Sequence, residues 1–215
     1  METPISCLPV VAAAGAGVVE QADLANYRGG NYLLISPCRD EAKYMRETLD
    51  SVISQSVRPA KWIIVDDGST DSTPQILAEY RAKHDWIEVL TRSDRGQRWV
   101  GPGVIEAFYA DYNAINPDDY DYLCKLDLDL RLPRRYFEIL IDRMTADPRI
   151  ATCSGKAYVE ENGRLFKERH GDDTSLGMTK FYRVSRFKED WRVCTRGDVG
   201  WDRLPSLPDE RPDCV

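Results

Sequence analysis

Strand-length apolar runs alternating with segments of helical period predict an α/β fold: a mostly parallel sheet with helices on both faces. Three observations carry this expectation. Buried-type runs recur at residues 32–36, 62–65, 86–90 and 120–126. Apolar residues between them repeat at helical spacing, and the connections are short. With 215 residues and a 42% apolar share, the chain has the size and composition of one large globular domain.

Each element has a local reason. Residues 1–30 are expected to be a disordered leader. Residues 8–19 are apolar, but acidic Glu2 stands where a signal peptide carries positive charge. The domain is expected to span 31–188. Its first strand, 32–36, is closed by Pro37. Met45, Leu49, Val52 and Ile53 then mark one helix face. After a break at 56–59 comes the second strand, 62–65. Thr73-Pro74 supplies a cap and a first-turn proline for a helix whose apolar face is Ile76, Leu77 and Tyr80. The third strand is 86–90.

A glycine- and arginine-rich loop at 95–103 leads to a helix over 104–115, ended by Asn116-Pro117-Asp118, and the fourth strand follows at 120–126. Pro133 opens a helix faced by Phe137, Leu140, Ile141 and Met144. A fifth strand is expected over 150–158, and Asn162-Gly163 is a hairpin turn signal. From 189 to 215 there is no apolar period, and Pro205, Pro208 and Pro212 interrupt any helix, so this tail is expected to be irregular.

Composition excludes several functions. A net charge of -7 argues against nucleic acid as a partner. The six cysteines are scattered, with no CxxC and no histidine at ligand spacing, so zinc is not expected and Cys124 reads as a core residue. The pattern suits a reducing compartment. No run reaches the roughly eighteen apolar residues that span a bilayer. His84 and His170 read as solvated, and there is no nucleophilic triad or Walker loop.

What remains are two strands that end in paired acids. Trp62-Ile63-Ile64-Val65 stops at Asp66-Asp67, and Leu126 leads into Asp127-Leu128-Asp129. In a strand Asp127 and Asp129 point to one side, and their repulsion is relieved by Mg²⁺ or Mn²⁺, which leaves positions open for phosphate oxygens. The alternative is a solvated strand end paired with Arg131, Arg134 or Arg135. Asp66 and Asp67 precede Gly68-Ser69-Thr70-Asp71, where a turn or helix cap accounts for Ser69, Thr70 and Asp71. One acid is left there for a nucleobase or ribose. Arg95, Arg98, Gly101 and Gly103 suit a loop that approaches a diphosphate, with a flexible surface loop as the equal alternative.

Taken together, Ile35-Ser36-Pro37-Cys38-Arg39-Asp40-Glu41-Ala42, Leu49-Asp50-Ser51-Val52-Ile53-Ser54-Gln55-Ser56, Ile64-Val65-Asp66-Asp67-Gly68-Ser69-Thr70-Asp71 and Leu126-Asp127-Leu128-Asp129 closely resemble the glycosyltransferase family 2 pattern. The resemblance covers residues 32–187. It implies a GT-A-like fold and sugar transfer, with inversion, from a nucleotide-diphosphate sugar assisted by Mg²⁺ or Mn²⁺. It implies that Pro37, Arg39, Glu41, Asp66 and Asp67 hold the nucleoside. Asp127 and Asp129 would form the DxD for metal and diphosphate, with Arg98 in the same donor site. It further implies a saccharide or lipid-linked acceptor, a role in polysaccharide, glycolipid or cell-envelope synthesis, and a place in the cytoplasm or at the inner face of a membrane with peripheral association. The general base would lie after the DxD; the candidates are Asp172, Asp173, Asp190 and Asp202, with Asp202 preferred. Asp40 stands where the family most often has Asn.

Phe187-Lys188-Glu189 is where the resemblance to the family stops, because an Ile-Gly-Gly turn does not follow. The stretch from Glu189 to Asp202 can be encoded so that one base over it reads RIGGFVREVMWDG, which restores that turn. An out-of-frame ending is therefore expected, with a naturally short variant as the alternative. The matching functional alternative is a non-catalytic nucleotide-sugar binder.

Overall fold

A computed structural model describes residues 9–12, 30–92, 116, 119–161, 164–167 and 175–186 of the chain. In chain order its elements are β1 (Pro9–Ala12), β2 (Tyr32–Cys38), α1 (Met45–Ile53), β3 (Lys61–Asp66), α2 (Thr73–Lys83), β4 (Ile87–Thr91), β5 (Tyr122–Lys125), α3 (Tyr136–Ala146), β6 (Thr152–Cys153), β7 (Lys156–Glu161), β8 (Arg164–Lys167) and β9 (Phe181–Arg183). The central sheet has the order β4-β3-β2-β5-β9-β6. Strands β2 to β5 are parallel, β9 runs antiparallel to β5, and β6 antiparallel to β9. A smaller antiparallel sheet has the order β1-β7-β8. The expected mostly parallel α/β architecture is what the chain adopts.

Alternation along the parallel strands divides the core in two. Tyr32, Leu34, Trp62 and Ile64 point to the helix side and pack with Met45, Leu49, Val52, Leu77, Phe137, Leu140 and Ile141. Each such buried side chain contributes about 1.5–3 kcal/mol. Leu33, Ile35, Ile63, Val65, Leu123, Tyr182 and Val184 form a second buried cluster on the opposite face. All three described helices serve the first cluster. The helix expected over 104–115 lies outside the described residues. Cys124 is fully buried, as its apolar run implies, and burial pushes its thiol up.

Several boundaries differ from the sequence reading. Pro37 does not close β2, which runs on to Cys38. The Ile35 carbonyl accepts from Leu126 N–H, whereas the Cys38 carbonyl accepts from Asp67 N–H. Odd residues of β2 therefore turn their backbone toward β5, and pairing with β5 ends at Ile35. Pro37 lacks an N–H on a side where no ladder bond is needed. Pro133 precedes α3 by a turn, its carbonyl accepting Tyr136 N–H.

The run at 150–158 is two strands in different sheets, split at Ser154-Gly155. Gly155 N–H is drawn to the Tyr136 hydroxyl and Leu176 N–H to the Ser154 hydroxyl, and these bonds replace ladder pairing. β1 lies within the stretch expected to be a disordered leader; it pairs with β7 from Pro9↔Val159 to Ala12↔Lys156. The turn signal at 162–163 is flanked by Glu161↔Arg164, the register of a two-residue hairpin. The tail and the stretch invoked for the shifted frame lie outside the described residues. Among the described residues no helix is long and apolar enough to cross a membrane.

Candidate functional site

The chain winds from β2 outward to β3 and β4, then returns to place β5 on the other side of β2. The carboxyl ends of β2 and β5 therefore flank a topological switch point, where open α/β sheets bind ligands. Their last ladder bond is Leu126 N–H to Ile35 C=O, at 2.9 Å. Beyond it the strands part, with Pro37 on one lip and Asp127 on the other.

The loops after β2 and β3 are cross-bonded. Asp40 N–H donates to the Ser69 hydroxyl (2.9 Å), and the Asp40 carboxylate accepts Thr70 N–H (2.7 Å). Glu41 N–H donates to the Thr73 hydroxyl (2.9 Å). Thr73 was expected to cap α2; the helix instead begins at Thr73 with Ser72 before it. The Asp71 carboxylate accepts Thr73 N–H at 2.8 Å and Ala42 N–H at 3.2 Å. Burial opposes ionisation of Asp71, but the bonds from Thr73 and Ala42 prevail and hold its carboxyl below the usual range.

The two acids after β3 separate in role. Asp66 is buried, and its carboxylate accepts Ser69 N–H at 2.9 Å, shaping the turn. Asp67, also buried, follows the end of β3, and its N–H donates to the Cys38 carbonyl at 3.0 Å. Arg39 is buried between the loops, donating from Nη1 to the Asp67 carbonyl (2.8 Å), with Nε 3.7 Å from the Asp40 carboxylate. Gly68 has φ 72°, a left-handed turn conformation that glycine adopts without strain.

Asp127 and Asp129 lie past the end of β5, where the chain bends at 128–129, so the pair is not within a strand as expected. The alternation persists nonetheless: Leu126, Leu128 and Leu130 are buried, and the two acids are half-exposed on the open side. This segment is held at three points by its backbone N–H groups. Asp127 N–H donates to Met178 C=O (2.9 Å), Leu130 N–H to the Thr48 hydroxyl (2.9 Å) and Leu132 N–H to the Ser51 hydroxyl (3.3 Å). Ser51 lies in the motif quoted for the family resemblance, without this role, and Thr48 is a support that sequence reasoning missed; the signal for both is a polar residue on the buried face of an amphipathic helix. Tyr136 is a further support, donating to the Thr179 hydroxyl at 2.9 Å beneath the 177–179 turn.

The ion pairing differs from the arginine alternative. Arg131 pairs with Glu160 and Arg135 with Glu138, while the Asp127 carboxylate takes the Lys125 ammonium. Among the described residues no cluster of three His, Cys, Asp or Glu could enclose a metal. Two half-exposed carboxylates fit an ion that completes its shell with phosphate oxygens and water. Arg98, Asp172, Asp173, Asp190 and Asp202 lie outside the described residues.

Known proteins of similar shape share this architecture. Staphylococcus aureus TarS (residues 1–349, in complex with UDP-GlcNAc) is 20% identical with a TM-score of 0.54, covering 74% of this chain and 47% of that one. Mannosyltransferase PcManGT from Pyrobaculum calidifontis, in complex with GDP-Man and Mn²⁺, is 18% identical with a TM-score of 0.56, covering 81% and 50%. The fold is GT-A-like. In sequence, the poly-β-1,6-N-acetyl-D-glucosamine synthase of Staphylococcus aureus (strain COL) is 22% identical over 129 residues, and that of Staphylococcus epidermidis 24%. Each match takes in 60% of this chain and 29% of the synthase. The sequence profile of glycosyl transferase family 2 matches residues 34–199, most of the chain, and the chain belongs to that family.

Proposed function

We propose that the chain binds a nucleotide-diphosphate sugar at the β2–β5 switch point and transfers the sugar to a hydroxyl acceptor. The observation that carries this reading is the convergence of acids from β3 and β5 on either side of the β2 end. β3 and β5 are two inter-strand spacings apart, about 10 Å, a span that a nucleoside diphosphate bridges. Asp67 serves the nucleoside, while Asp66 shapes the turn beneath it. Pro37, Arg39 and Glu41 form the opposite wall, with Arg39 bracing the two loops. Asp127 and Asp129 hold Mg²⁺ or Mn²⁺ against the diphosphate, with Arg98 assisting.

A divalent ion bound there supplies Lewis acidity toward the leaving diphosphate. The acceptor hydroxyl needs a general base on the opposite face of the sugar, a role proposed for Asp202. The relatives named poly-β-1,6-N-acetyl-D-glucosamine synthase favour a saccharide acceptor; a lipid-linked acceptor, a role in cell-envelope glycan synthesis and a place at the cytoplasmic side of a membrane are proposed from the family resemblance.

Calorimetric titration with UDP- and GDP-sugars, with and without Mn²⁺, tests the reading. Mn²⁺ is expected to strengthen binding, and Asp127→Ala and Asp129→Ala are each expected to abolish that gain. Unchanged affinity in both variants would overturn the metal assignment. Sugar transfer to a hydroxyl acceptor then separates an enzyme from a binder.

A further inference from the structure

Lys125 and Lys180 face each other across β5 and β9, and both are buried, at 8% and 7% exposure. The register Leu123↔Tyr182 and Cys124↔Phe181 continues through Lys125 N–H to Lys180 C=O (3.0 Å) and Asp127 N–H to Met178 C=O (2.9 Å). Facing residues of an antiparallel pair project on the same side of the sheet. Leu123 and Tyr182 lie in the second cluster, so Lys125, Lys180 and Asp127 continue that face toward the rim. The Lys180 ammonium lies 5.6 Å from the Tyr182 ring centroid, and the Lys125 ammonium donates to the Asp127 carboxylate.

We propose that Lys125 and Lys180 form a second cationic arm of the donor site, taking phosphate oxygens of a nucleoside diphosphate independently of the divalent ion. The proposal rests on the donor-site reading above. An anion seated against two ammoniums opposed across a strand pair is attracted by both charges. An ammonium has three donors, and the bond to Asp127 uses one. Lys125 can therefore hold the carboxylate and a phosphate oxygen together. Burial limits salt screening, so bonds made there are charge-assisted and strong. The arm stands beside the β2–β5 crevice, where Ile35 is the neighbour of Lys125 in register.

The test is calorimetric titration of the full chain with UDP, GDP and the matching nucleosides, in EDTA and in Mn²⁺. Wild type is expected to bind a nucleoside diphosphate in EDTA. Lys125→Met and Lys180→Met are each expected to weaken that binding about tenfold and to leave nucleoside affinity unchanged. Lys125→Arg is expected to restore most of it. Wild-type affinity for the diphosphate in both Met variants, or equal loss of nucleoside and diphosphate, would overturn the proposal. Binding only with Mn²⁺ would overturn it while sparing the donor-site reading. No diphosphate binding in either buffer would overturn both. If Lys125→Met does not fold by circular dichroism, Lys180→Met and Lys125→Arg carry the same comparison.

Discussion

The Asp40 carboxylate accepts the Thr70 N–H at 2.7 Å, and through that bond the loops after β2 and β3 become one unit. Asp40 reaches Thr70 from φ 55°, a left-handed conformation that Asp and Asn tolerate better than other side chains. The position where the family most often has Asn therefore keeps both the backbone shape and the acceptor oxygen an Asn supplies.

Asp40→Asn is accordingly expected to match wild-type stability within about 0.5 kcal/mol. Asp40→Ala loses the acceptor and strains the backbone, at a cost of about 1–3 kcal/mol. Urea unfolding measures both; equal stability of the two variants would remove the conformational argument.

Tyr136 is fully buried, and its hydroxyl joins Gly155 N–H at 2.8 Å to Thr179 Oγ1 at 2.9 Å. Tyr136→Phe leaves both partners unsatisfied and is expected to cost about 1–3 kcal/mol. Because the 177–179 turn supports the Asp127 backbone, Mn²⁺-dependent nucleotide affinity is expected to fall as well. Thermal unfolding and titration check the two effects, and undiminished affinity would confine Tyr136 to stability.

Asp71 and Glu138 contribute to the acid limit of the fold, beside Glu79 and Asp147, whose carboxyls are also held low by hydrogen bonds from Arg46 and Arg149. Asp71 is lowered from 3.8 because its hydrogen bonds outweigh burial; Glu138 is lowered from 4.5 chiefly by its bond from Arg135, with Ser56 assisting. Each folded value lies below the unfolded one, so the unfolded state binds protons first as pH falls. The stability these acids confer is fully present above the unfolded values and is lost as pH falls through the folded values. The urea midpoint is expected to hold from neutrality to about pH 5 and then decline, with a shallower decline in Asp71→Asn. An identical acid profile for that variant would exclude Asp71 as a contributor.

The acids themselves were legible in the chain. Asp66, Asp67, Asp127 and Asp129 stood out because each pair ends an apolar run, and the helix faces of α1 and α3 were plain from their period. What was not legible was the division of labour. Asp66 and Asp67 are adjacent and identical in type, and only the turn geometry shows the Asp66 carboxylate holding Ser69 N–H while the Asp67 carbonyl takes Arg39. The run at 150–158 could not announce its break, since Gly155 is claimed by a hydroxyl nineteen residues away in sequence.

The amino-acid sequence by itself determined the α/β architecture and the rim that carries acids, because periodicity and chain punctuation act over a few residues. Tertiary structure alone decided that Lys125 faces Lys180, that Thr48 and Ser51 hold the Asp127–Asp129 segment, and that β5 lies beside β2 at a switch point. Those relationships depend on strand order and register, which join residues far apart in the chain and leave no trace in local pattern.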